Sequence, residues 1–79
     1  MEYLVELPQE AIVMGFAASC IEHVARRLHV PYRTVYDSLK RTDAITKYII
    51  PHYNSLHTQS REYVTEDIIE YLRNRGEKL

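Results

Sequence analysis

Residues 9 to 28 read QEAIVMGFAASCIEHVARRL, and the architecture turns on this stretch. Val13, Phe16, Ala17, Cys20, Ile21, Val24 and Leu28 recur at i, i+3 and i+4 spacings, the signature of a helix with one face turned to a core. Pro8 stands just before it, its φ pre-set for a helix start. In the first half the pattern changes. Ala11, Ile12, Val13, Met14, Phe16, Ala17 and Ala18 cover every face with only Gly15 between them, and a helix apolar all round has to be enclosed.

Beyond this helix, three more helical segments can be placed. Tyr32 to Arg41 sets Tyr32, Val35, Tyr36 and Leu39 on one stripe, with Pro31 at its entry and Arg33, Thr34, Asp37, Ser38 and Lys40 opposite. A third segment opens at Thr42 or Asp43 as N-cap and turns Ile45, Tyr48 and Ile49 inward until Pro51 breaks it, starting a short turn that buries Tyr53 and Leu56. His57 to Arg61 is the longest polar stretch and reads as an exposed loop. The fourth helix is expected to be capped by Thr65, with Glu66 and Asp67 at its positive end, Ile68, Ile69 and Leu72 inward, Arg73 and Arg75 in the last turn and Gly76 ending it. Glu2 to Leu7 and Glu62 to Val64 have strand-like content and could pair as a minimal two-stranded ribbon. The expectation is a single all-α domain over residues 1–79, a bundle of four to five helices.

Composition limits what such a chain does. At 79 residues it buries only about 60% of its unfolded surface, so its core is thin. The single cysteine, Cys20, excludes an internal disulfide framework and points to a reducing compartment. No basic stretch precedes an apolar run at the start, and Ala11 to Ile21 is too short for a membrane span, so a cytoplasmic location with no membrane partner is expected. Net charge is -1 but unevenly spread. Between Glu22 and Lys47 six basic residues face three acidic ones, while the rest of the chain carries four basic and eight acidic, which suggests surfaces of opposite sign.

Ile21 to Leu39 is the best match to a functional motif. Val24-Ala25, Leu28, Val30, Val35 and Leu39 fall where a helix-turn-helix unit needs apolar or small residues, which would let Arg33, Thr34, Asp37, Lys40 and Arg41 face a DNA groove while Arg26 and Arg27 meet phosphates. Against this, His29 stands where the tight turn prefers glycine, and Asp37 would repel phosphates. The plainer reading is a helical corner used for packing.

Chemistry for catalysis is sparse. Cys20 and His23 share a helix face, but Cys20 lies within the apolar stripe, where a thiol behaves as a small hydrophobe. His52 and His57 flank a proline-broken segment without a second ligand pair, so neither a metal nor a cofactor is expected. The acidic cluster Glu66, Asp67 and Glu70 matches what a helix dipole favours. Seven tyrosines without a tryptophan suit a rim that buries rings while hydroxyls reach water, and equally suit a binding surface.

Ile49-Ile50-Pro51-His52-Tyr53, Leu56-His57-Thr58-Gln59, Glu62-Tyr63-Val64 and Asp67 to Leu72 form an ordered set, preceded by Cys20-Ile21-Glu22 and Val35-Tyr36. From about Phe16 to its end the chain resembles a family of short uncharacterised bacterial proteins with a Leu-His-Thr-Gln motif. It departs at Ser60, where that family's pattern suggests glycine. The resemblance implies a companion of predicted ADP-ribosyltransferase-like proteins, in an arrangement similar to a toxin and antitoxin pair. Residues and resemblance together lead to the expectation of a protein-binding module, not an enzyme, that pairs with a toxin-like protein or self-associates. A DNA-binding regulator is the alternative. The expected contact residues are Met14, Arg33, Tyr36, Lys40, Arg41, Tyr53, His57, Thr58, Gln59 and Tyr63. For His57 to Gln59, capping of backbone groups competes with direct contact.

Overall fold

The computed structural model describes residues 9–79. Helix α1 spans Gln9–Leu28, α2 Tyr32–Arg41, α3 Tyr53–Leu56 and α4 Arg61–Asn74, with a π-helical turn over Ile45–Ile49 between α2 and α3. Among the described residues there is no strand, so the fold is all-α. Glu62 to Val64, expected as half of a ribbon, forms the first turn of α4 instead, and the other half, Glu2 to Leu7, lies outside the described residues together with Pro8.

Helices α1 and α2 have the limits the sequence pattern gives, but Ser38, expected on the polar side of α2, is fully buried, and Tyr32, expected on its apolar stripe, is 46% exposed. The end of α1 is closed by a pair of backbone bonds, from the Val30 N–H to the Ala25 carbonyl at 3.1 Å and from the His29 N–H to the Arg26 carbonyl at 3.3 Å. That is the Schellman arrangement, which needs a left-handed residue between helix and exit. His29 supplies it with φ 57°, so the absence of glycine has not prevented the turn. Pro31 then holds an extended backbone that directs α2 back against α1. Val24, Val35, Leu39, Ala44, Ile49 and Leu72 are fully buried where α1, α2, the π-turn and α4 meet.

Two caps differ from the sequence expectation. Thr42 Oγ1 donates backward to the Ser38 and Leu39 carbonyls, and Asp43 lies at φ 55°, so neither caps the third segment. The chain continues instead into a wide turn in which the Ile50 N–H reaches the Ile45 carbonyl at 2.9 Å, an i to i−5 bond. Helix α4 begins at Arg61, capped by Ser60, whose Oγ accepts the Tyr63 N–H at 3.1 Å. Thr65 is thus inside the helix, buried, and donates its hydroxyl to the Arg61 carbonyl at 2.8 Å. Starting α4 earlier also moves Glu66 and Asp67 out of the first turn, which holds Glu62 alone as an acid.

At the far end of α4, Gly76 takes φ 86° and the Glu77 N–H returns to the Leu72 carbonyl at 3.1 Å, a second Schellman closure. The turn brings Glu77 to α2. Its Oε1 accepts the Ser38 hydroxyl at 2.8 Å and an Arg41 Nη2–H at 2.7 Å.

Tyrosines line the outside of this thin core. Tyr48 stacks on Tyr71 at 4.3 Å between centroids, with the Arg75 guanidinium 3.7 Å from the centroid of the Tyr71 ring. Tyr53 meets Phe16 edge to face at 5.3 Å and stacks on His57 at 4.4 Å. Pairs of this kind add about 0.5–1.5 kcal/mol beyond area burial.

Candidate functional site

Among the described residues, the first half of α1 is covered on one side only. Val13 and Ala17 are buried, but Ala11, Ile12, Met14, Gly15 and Ala18 are exposed among the described residues, Met14 by 50% and Ile12 by 39%. Ile50, turned outward by the π-turn, is 39% exposed and shares a shallow apolar hollow with Gln9, Glu10, Val13 and Met14. On another side of α1, Gly15, Ala18, Ser19, Glu22, Ala25 and Arg26 border a wide groove of about 880 Å³ that ends at His29, Val30 and Tyr32. A Cβ placed on Gly15 would meet nothing within 4 Å.

A smaller hollow, about 260 Å³, lies where α1, α3 and α4 meet. Phe16, Cys20, Leu56 and Val64 are its apolar lining, and Ser19, His23, His57, Gln59, Arg61 and Thr65 its polar lining. Burial pushes the Cys20 thiol up to about 11, so it stays protonated at neutral pH and is no activated nucleophile. His57 Nδ1 donates to the Tyr53 carbonyl at 2.7 Å and Thr58 Oγ1 to the Ser55 carbonyl at 2.8 Å, which satisfies carbonyls at the end of α3. The capping role expected for this segment is therefore seen in the first two residues, while Gln59 lines the hollow.

The remaining residues expected from sequence are scattered. Arg33 is exposed and pairs with Asp37 at 3.1 Å, Arg41 pairs with Glu77, and Lys40 is exposed beside them on α2. Tyr36 packs half-buried against the core, whereas Tyr63 stands 55% exposed on α4. Met14 sits with Ile50, which the sequence pattern does not single out, while Ile12 is exposed elsewhere on α1; His57, with Tyr53 stacked on its ring, and Gln59 gather at the small hollow with His23, read in the sequence only beside Cys20, and with Arg61, silent in the sequence. Ile12 and Ile50 are hidden by their apolar character, which reads as core. His23 and Arg61 come together only through the packing of α1 on α4, fixed in part by the Arg27–Glu66 ion pair.

No helix among the described residues is long and apolar enough to cross a membrane. Among curated proteins and among solved structures, none matches this chain. Residues 15–75 match the family model described as Protein of unknown function (DUF3791), a span that takes in α1 from Gly15, the whole of α2 to α4 and the smaller hollow, but of the apolar hollow only Ile50, and the chain belongs to that family.

Proposed function

We infer that the chain is a small protein-binding module that docks a helix of a partner protein along the open side of α1, the partner being a toxin-like protein of the ADP-ribosyltransferase-like kind. The observation that carries this reading is the apolar first half of α1, where Ile12 and Met14, and Ile50 beside it, are exposed among the described residues although the chain folds around their neighbours. A thin-cored chain gains by covering such surface, at roughly 25 cal/mol per Å² removed from water. Gly15 and Ala18 allow close approach of a second backbone, and the partner's identity comes from the resemblance alone. Masking or restraining the partner is the role that fits.

The test is co-expression with the adjacent reading frame, reading complex formation by size exclusion and rescue of growth. Met14→Asp and Ile12→Asp should abolish both while leaving the isolated chain folded. An unaffected complex would remove the α1 surface from the reading, and neither complex nor toxicity would remove the reading itself. Duplex DNA ranks second because Asp37 and Glu77 already occupy Arg33 and Arg41. Salt-sensitive retention on duplex DNA that fell with Lys40→Ala would reverse that order.

A further inference from the structure

We propose that the hollow between α1, α3 and α4 is a receptor for a carboxylate carried on a short apolar stem, with Arg61 as its cationic anchor. Its motivation is an imbalance in how the arginines are used. Among the described residues Arg26 pairs with Glu22, Arg27 with Glu66, Arg33 with Asp37 and Arg41 with Glu77. Arg73 donates to the Leu79 carbonyl and Arg75 lies over the Tyr71 ring. Arg61 has neither an ion pair nor a side-chain hydrogen bond there, and it lines the 260 Å³ hollow as well as the adjoining one of about 320 Å³.

The rest of the lining agrees with that chemistry. His23 and Gln59 also make no side-chain hydrogen bond among the described residues, so donors are available beside the guanidinium. The His57 ring has committed Nδ1 to the Tyr53 carbonyl, which leaves Nε2 to accept when neutral or donate when protonated. Ser60 caps only the Tyr63 N–H and its carbonyl takes the Val64 N–H, so the Arg61 and Glu62 amides at the positive end of α4 have no acceptor within the helix. Among the described residues Arg61 is the one formal charge lining the smaller hollow, which suits a monoanion; Glu62 lines only the adjoining one.

Size and apolar lining define the stem. A volume of 260 Å³ is below the ~300–1,000 Å³ of pockets that enclose drug-sized ligands, so it takes one side chain or one chain end. Phe16, Leu56 and Val64 offer that stem an apolar patch within a largely polar lining, each methylene buried there raising affinity roughly fourfold. Such a carboxylate belongs either to a small free acid or to the last residue of a peptide. The site shares only Ser19 with the groove beside Gly15 and Ala18, so it stands or falls without the partner docked there.

NMR titration of the intact chain separates these cases. N-acetyl-leucine and an N-acetylated pentapeptide ending in leucine should each shift the Arg61 and Glu62 amides and the Gln59 side-chain amide saturably, and N-acetyl-leucinamide should bind at least roughly tenfold more weakly, the loss of one charge-assisted hydrogen bond. Arg61→Gln should lose a similar factor with unchanged amide dispersion, and Arg61→Lys should retain most of the affinity. Much tighter binding of the peptide assigns a chain end, equal binding a small acid. Absence of saturable shifts from both, equal shifts from acid and amide, or shifts from inorganic phosphate alone would overturn the proposal. So would full affinity in Arg61→Gln.

Discussion

The Ser38 hydroxyl, fully buried on α2, donates to Glu77 Oε1 at 2.8 Å, tying the chain's last turn to its second helix. Glu77 reaches that position because Gly76 accepts a left-handed backbone. Replacing Glu77 with alanine strands a buried hydroxyl and an arginine at once. Glu77→Ala should lower stability by about 1 kcal/mol, a fall in Tm of ~4–8 °C for a chain of this length, measured by thermal circular dichroism. An unchanged Tm would mean that water replaces the carboxylate without loss.

The same contact gives a pH dependence. Hydrogen bonds from Arg41 and Ser38 hold the Glu77 carboxyl below its ordinary range. Its folded pKa lies under the unfolded one, so the contribution is complete above the ordinary carboxylate range and is lost as pH falls through the folded value. The Tm gap between the wild-type chain and Glu77→Gln should be constant near neutral pH and close in acid.

Asp67 should behave in the opposite sense. Partial burial, and then the neighbouring Glu70, raise its carboxyl above the usual value, so ionising it opposes folding and the penalty grows as pH rises through the folded value. Asp67→Asn should raise Tm at neutral pH, with the gain vanishing below the ordinary carboxylate range. A loss at neutral pH would contradict this.

His29 closes α1 from a left-handed backbone that costs a residue with a Cβ roughly 1–2 kcal/mol relative to glycine, offset in part by the greater freedom of glycine in the unfolded chain. His29→Gly should therefore stabilise by about 0.5–1 kcal/mol. Gly15→Ala should do likewise through helix propensity, since no atom stands in the way, while hindering any backbone that docks there. Denaturant unfolding measures both.

Much of this fold is legible before folding. The apolar period of residues 9 to 28 and the Pro31 break are local signals, and α1 and α2 have the limits those signals mark. The third segment is harder because Asp43 and the π-turn depart from helical geometry without a glycine to announce it. Ser60 is concealed by its company: a polar run from His57 to Arg61 reads as loop, and a tyrosine rather than a glutamate stands three residues on, where a capping box is usually recognised. His57 and Gln59 carry a motif and so draw notice. Arg61 does not, and His23 draws notice only as a neighbour of Cys20, because sequence reveals neither that two helices meet there nor that Arg61 has no anion among the described residues.

One residue more or fewer matters most at the wide turn between α2 and α3. Deleting a position from Ile45–Ile49 would tighten its i−5 bonding to i−4 and rotate the downstream chain by about 100°, one step of an ordinary helix. Tyr48 would swing off the ring of Tyr71, and Ile50 would leave the surface it shares with Met14. The widened loop thus works as a spacer that sets the phase of the chain's second half against its first.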